Sequence, residues 1–347
     1  MNLGDTYMLG WGIRRLSSAV VGLMALFAFA ATAGAADYNW KFQSFWQAGT
    51  TNQKAFERFA ANVGRMSGGR IEIEALSVGA VVPPGEMLDA VKVKIIDGMN
   101  GGTGYFVGKD PAFALLADIN AGYENPYQQE MWFWHGGGAE IAREIYAKYG
   151  LYYLGPVMWG AESIPSKEPL RNVADFKGIK MRAPEGMGAA IFRRLEVGVS
   201  TLPGTEVYTA LERGKIEATD WGTLGMNDEL GYGKIAPYAI YPGIHSMPMA
   251  DLSINLEIWN SLPDDLKGIL EIAAREANRD SLGLNAVLDR SFVAKRDPST
   301  LVNWGSAERR ELRAVAQEVW LEWSEKSELA KRVYDSHIAF MTSMGLL

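Results

Sequence analysis

The sequence predicts an α/β protein in which parallel strands alternate with crossover helices. Two of the observations behind this are strands. Tyr38-Asn39-Trp40-Lys41-Phe42 and Ile71-Glu72-Ile73-Glu74-Ala75-Leu76 alternate between apolar and polar side chains, which is the period of a half-buried strand. The third lies between them, where Phe56, Phe59, Ala60, Val63 and Met66 fall on one helical face. A strand, a helix and a strand in that order make a unit with parallel strands.

The elements follow along the chain. A strand over 38–42 leads into a polar loop over 47–52 and a helix over 54–66, ended by Gly68-Gly69. After the strand over 71–76, Pro83-Pro84 breaks the chain. A helix over 87–96 then buries Leu88, Val91 and Ile95, and a glycine-rich strand end spans 99–105. Ligands of such sheets bind beyond the carboxyl ends of the strands, which is where 45–47 and 102–105 fall. A second unit starts with an apolar strand over 151–158. The tight turn at Gly178 is followed by a strand over 179–182 that ends in Arg182. A helix over 187–195, a strand over 197–202, a helix over 206–213 closed by Gly214, and a strand over 216–221 complete it. Residues 238–244 are extended and run toward 253–256. Pro263 opens a long helix reaching Arg290, and 307–340 is helical as well.

Composition narrows the function. The chain has 347 residues, 48% hydrophobic and 22% charged, the balance of a globular protein of roughly two domains. It has no cysteine, which excludes disulfides, thiolate catalysis and Cys-ligated metal. Three histidines leave little for a His-rich metal site. Lys plus Arg number 34 against 41 acids, a net charge of −7, so the basic excess of a nucleic-acid binder is missing. Eleven tryptophans are generous, and tryptophan often lines sites for small organic ligands.

Residues 1–35 have the form of an export signal. Arg14 and Arg15 precede an apolar run from Leu16 to Ala31, and Ala33-Gly34-Ala35 supplies a small-x-small cleavage site. Leu16-Ser17-Ser18 after the arginine pair fits a twin-arginine signal poorly, which favours Sec export. An exported chain without cysteine points to a bacterial periplasm.

No nucleophile elbow, H-E-x-x-H or Walker A loop is present. Gly102 and Gly104 lack the further glycine of a dinucleotide fingerprint and read as a tight turn. His245 and Ser246 are neighbours whose side chains diverge on a strand, which argues against a serine triad. The informative stretch is Asp175-Phe176-Lys177-Gly178-Ile179-Lys180-Met181-Arg182-Ala183-Pro184. An arginine at the carboxyl end of a strand faces the crevice, and its planar fork matches a carboxylate.

Three segments together resemble the DctP-type solute-binding proteins of TRAP transporters, nearest the branch that binds 2-oxo acids. They are Val173 to Arg182, Glu206 to Trp221, and Tyr232-Gly233-Lys234-Ile235-Ala236-Pro237-Tyr238. The resemblance implies an α/β, two-lobed periplasmic binding protein with crossover strands and a long inter-lobe helix. The lobes would comprise 36–158 with part of 248–347, and 159–247 with part of 260–347. It implies a periplasmic component that carries a small organic acid to membrane permease subunits, with Arg182 pairing with the ligand carboxylate. The 2-oxo acid branch uses an acid–tryptophan pair, matched by Asp220-Trp221. It also uses a glutamine and a glutamate, where this chain has Trp159-Gly160-Ala161-Glu162 and Ser246. With two oxygen ligands gone, a sodium or calcium ion is not expected to be required. If one is retained, Asp220 and Trp221 would hold it and Glu162 could replace a ligand. Some relatives dimerise through an additional C-terminal helix, and a chain ending at Leu347 is expected to be a monomer.

The candidate ligand-binding set is Arg182, Trp221, Glu162, Trp159, Tyr105, Phe45, Trp46, His245 and Ser246. Phe45 and Trp46 are adjacent, so alternation would send only one of them to the site. The alternatives are a periplasmic enzyme acting on a carboxylate, with Glu162 and Asp220 moving protons beside Arg182, and a sensory ligand-binding protein. Turnover separates the enzyme from a binder.

Overall fold

The computed structural model describes residues 36–347. The predicted export signal lies outside the described residues. The helices are α1 (Thr51–Met66), α2 (Met87–Lys92), α3 (Ala112–Ala117), α4 (Pro126–His135), α5 (Gly138–Lys148) and α6 (Met187–Arg194). They continue with α7 (Val207–Glu212), α8 (Leu224–Glu229), α9 (Leu256–Ser261), α10 (Asp264–Val293), α11 (Ser306–Ser324) and α12 (Glu328–Ser343). Among these none is long and apolar enough to cross a membrane.

Two sheets form the two lobes. The first has the order β2 (Ile71–Leu76), β1 (Tyr38–Ser44), β3 (Gly98–Gly102), β10 (Met249–Asn255), β4 (Leu151–Met158). The expected parallel pairing holds for β1 with β2 and β3. β10 departs from it, running antiparallel to β3 and β4. The second sheet has the order β11 (Leu301–Val302), β9 (Tyr238–Ile240), β5 (Pro165–Ser166), β8 (Ala218–Thr219), β6 (Lys180–Arg182), β7 (Gly198–Ser200). β5 is antiparallel to both its neighbours, whereas β6 is parallel to β7 and β8.

The chain crosses between the sheets after β4 and again before β10. The two crossings lie against each other. The Glu162 amide donates to the Ser246 carbonyl at 2.9 Å. A Cβ on Gly243 would sit 2.0 Å from the Glu162 carbonyl oxygen, so only glycine permits this approach. The long helix α10 joins the lobes as a third connection, packing on α1 and β4 of the first and on α8 of the second. Its second contact is polar and specific. Asp289 on α10 accepts from Thr223 Oγ at 2.6 Å and from the Gly225 amide at 2.7 Å, holding the first turn of α8. Asp289→Ala is expected to lose about 1–2 kcal/mol, read as a lower Tm in thermal melts. An unchanged Tm would mean that these bonds do not hold the two elements together.

Some helices depart from their sequence patterns. α1 begins at Thr51, three residues early, because Thr50 caps it through its side chain. The helix expected over 87–96 stops at Lys92, and Lys94 takes φ 60°. That left-handed residue turns Ile95 outward, to 56% exposure, and buries Ile96 instead. The C-terminal helical tract divides at Ser327, whose side chain caps α12.

Candidate functional site

The two crossings, the carboxyl ends of β1, β3 and β6, and the loop after α3 surround one cleft that is open in part to solvent. Eight of the nine predicted ligand-binding residues line it: Arg182, Trp221, Glu162, Trp159, Tyr105 and Ser246, together with Phe45 and Trp46. The last two correct the alternation argument. β1 ends at Ser44, so Phe45 and Trp46 lie beyond the pleat and are not bound by its period. Their rings meet at a tilt of 35° with centroids 4.0 Å apart, and Trp46 donates from Nε1 to Asn100 Oδ1 at 3.0 Å. Trp159 meets Trp46 edge-on at 5.0 Å, and Tyr105 meets Phe45 edge-on at 6.0 Å. The rings form one continuous aromatic wall.

The ninth residue lies elsewhere. His245 stands behind the cleft, against a small second cavity lined by Phe192, Ile191 and Asn120. Its Nε2 donates to Asp220 Oδ1 at 3.1 Å and lies 3.9 Å from Glu162 Oε2. It therefore acts on the cleft only through Asp220 and Glu162. The two residues lie in the connection between β9 and β10 and not on a strand as expected, and there Ser246 takes the cleft side and His245 the far side.

Arg182 is 2% exposed although it borders the cleft. It ends β6, where Met181 turns into the core and Arg182 toward the crossings. Its Nε donates to the Leu202 carbonyl at 3.1 Å and its Nη1 to the Asp220 carbonyl. Both bonds go to main chain and orient the guanidinium without neutralising it. The Trp221 ring lies 5.2 Å from the guanidinium carbon, a cation–π distance. The amino end of α6 borders the same space through Gly186 and Gly188, with no side chain capping it. Its free amides carry the positive end of the helix dipole.

Opposite stands an acid cluster that the sequence reading found only in part. Asp118, which it missed, follows α3 and lines the cleft. Its Oδ2 accepts from Ser246 Oγ and from Asn120 Nδ2, each at 2.6 Å. Burial pushes the Asp118 carboxyl up to about 7. Burial also raises Glu162 far above the carboxylate range, and the neighbouring Asp220 charge adds to this. Burial opposes ionisation of Asp220 too, but His245, the hydrogen bond with Glu162 and the Arg182 charge outweigh it and hold Asp220 below its usual value. Glu162 thus carries the proton of the pair, and its Oε1 accepts from Trp159 Nε1 at 3.1 Å.

One oxygen each of Glu162 and Asp220 and one nitrogen of His245 lie within 4.8 Å of one another. Sodium-like and calcium-like cations take six or more oxygens. Here one donor is an imidazole nitrogen, the two carboxyls already bond to each other, and Asp220 is bonded to that ring. This donor set does not fit a hard cation.

Comparison with known proteins agrees with this architecture. The family model for bacterial extracellular solute-binding proteins, family 7 (DctP), matches residues 42–326. A monocarboxylate 2-oxoacid-binding periplasmic protein of Nostoc sp. is 30% identical over 312 residues, covering 89% of this chain and 85% of that protein. The crystal structure of a TRAP periplasmic solute-binding protein from Rhodobacter sphaeroides, in an apo open state, shares 33% identity and a TM-score of 0.76. The match covers 89% of this chain and 99% of that one. A TRAP periplasmic solute-binding protein from Pseudoalteromonas atlantica, with bound sodium and pyruvate, is 26% identical with a TM-score of 0.75, over 88% and 94% of the two chains. These relatives are solute-binding proteins of transporters, not enzymes. With the family model matching most of its length, the chain belongs to the DctP family of bacterial extracellular solute-binding proteins.

Proposed function

We propose that this protein captures a small organic acid in the periplasm for the membrane subunits of a TRAP-type transporter, through an ion pair between Arg182 and the ligand carboxylate. One observation carries the reading. Arg182 is a buried guanidinium on the wall of the main cleft, and its hydrogen bonds to protein go to carbonyls rather than to a carboxylate. A buried cation held in this way demands an anion. A carboxylate satisfies the fork bidentately, and the uncapped amino end of α6 adds to the same positive pole. Trp221 packs against the ligand beneath the guanidinium, and the aromatic wall covers its apolar part.

We place the lobes as 36–158 with part of 248–347, and 159–247 with part of 260–347, hinged at the crossings and α10. Closure of the lobes expels water and strengthens the ion pair. No resident ion is part of this reading, since the Glu162, Asp220 and His245 donors do not fit a hard cation.

The test is a thermal-shift screen of ligand-free protein against 2-oxo, 2-hydroxy, 2-amino, sugar and aromatic acids. A ligand at 100 times its Kd adds about 2.7 kcal/mol, which raises Tm by several degrees. A selective rise with one acid class supports the reading. No rise with any acid would end it.

A further inference from the structure

We propose that the ligand is a 2-amino acid, whose carboxylate meets Arg182 and whose ammonium group meets the carboxyl groups of Asp118, Glu162 and Asp220. This rests on the Arg182 reading and adds the second charge of the ligand.

The charge balance of the cleft points there. Four acids line it, Asp118, Glu162, Glu185 and Asp220, against one basic side chain, Arg182. Glu185 is exposed and lies 3.5 Å from Arg193, so it is solvated and offset. The other three are buried, at 7% exposure or less. A monoanion that pairs with Arg182 cancels the only basic side chain among the described lining residues. It then lies against the ionised Asp220 and leaves the Asp118 and Glu162 carboxyls, which burial drives toward their protonated forms, without a cation to hold them ionised. A ligand that brings a positive charge beside its carboxylate matches both poles.

The spacing of the poles agrees. Asp220 belongs to both of them. Its carbonyl accepts from Arg182 Nη1, and its carboxyl group sits in the acid cluster. The two charges of the ligand must therefore be close, as they are when carboxylate and ammonium share one carbon. Ser246 and Asn120 donate to Asp118, and His245 to Asp220. An ammonium group offers three N–H donors, and the aromatic wall beside it suits both a cation and an apolar side chain. A bound metal would be another source of positive charge, but the Glu162, Asp220 and His245 donors do not fit a hard cation.

The test is isothermal titration of ligand-free, EDTA-treated protein in sodium-free buffer. L-Alanine, L-leucine and L-phenylalanine are compared with the 2-oxo and 2-hydroxy acids of the same side chains. The series is then repeated with calcium and with sodium. We expect at least one amino acid to bind tenfold or more tightly than its oxo and hydroxy analogues, without added metal. Asp118→Asn should cut that preference by tenfold or more. The ligand series on the unaltered protein decides the matter even if the variant folds poorly. Equal or tighter binding of an oxo or hydroxy acid, or acid binding that requires calcium or sodium, overturns the ammonium pole and leaves the Arg182 reading standing. Failure of every acid to bind overturns both.

Discussion

Arg182→Ala is expected to remove most carboxylate affinity, by about 2–5 kcal/mol for a buried charge pair, which is roughly thirtyfold to several-thousandfold in Kd. The loss is large because the guanidinium is buried and already aligned. Its Nε and Nη1 are fixed by the Leu202 and Asp220 carbonyls, so the ligand meets a preset fork instead of ordering a flexible side chain. The fold should survive the change. Those two carbonyls border a cleft that water can enter, so they find new donors. Arg182→Lys separates charge from geometry. It keeps the cation but loses the planar fork and the stacking on Trp221, and its affinity should fall between the other two. Calorimetry on the three proteins checks the order, with far-UV circular dichroism to confirm folding. Unchanged affinity in Arg182→Ala would sink the anchor assignment.

What could be read from the sequence divides along a physical line. Local periodicity and chain geometry gave the anion side of the cleft. A strand ending in Arg182 must aim its last side chain at the crevice, and Asp220-Trp221 follows the next strand at the same edge. Long-range pairing was hidden. β10 inserts antiparallel between β3 and β4, and nothing in residues 249–255 alone announces those partners. Asp118 was hidden for the same reason. It follows the apolar run Ala112-Phe113-Ala114-Leu115-Leu116-Ala117 without a motif, and its partner Ser246 is 128 residues away. A lone acid after so apolar a helix was the available signal. α4 and α5 also escaped, and with them the packing of Trp132 on His337 at 3.6 Å. The Ile95 error was local. A helical period says nothing about a left-handed residue such as Lys94, which ends the helix before the period does.

A second large effect is expected in the pH dependence of stability. Asp251 lies on β10 at 0% exposure, directly after the second crossing. Its Oδ1 accepts from Thr103 Oγ at 3.2 Å and its Oδ2 from Ser253 Oγ at 2.9 Å. These bonds favour the carboxylate, but burial outweighs them and pushes the group up to about 7. The unfolded chain releases this proton near pH 4, at the ordinary value for aspartate. Between about pH 4 and pH 7 the folded protein therefore holds a proton that the unfolded chain has lost. The stabilising contribution is complete below pH 4 and falls by about 1.4 kcal/mol per pH unit until pH 7, beyond which it is gone. His337 works in the opposite sense, because burial lowers it to about 3 and its neutral form favours folding as the pH rises toward 6.5. A single melting curve against pH mixes the two with the contributions of Asp118 and Glu162.

Asp251→Asn isolates one of them. It keeps the shape and the hydrogen-bonding capacity and removes the titration. Relative to the unaltered protein, the variant should gain about 2–3 kcal/mol in denaturant stability between pH 5 and pH 8, the part of the Asp251 titration that falls in that window. The same difference for Val287→Ala, an exposed substitution on α10 that leaves Asp251 and Asp118 intact, should stay near zero. A flat difference for Asp251→Asn would mean that the carboxyl ionises in the folded state with little penalty, and that water or a cation reaches the centre of the first sheet. The charge would then sit on the strand that carries the second crossing into the first lobe, and closing the cleft would have to contend with it.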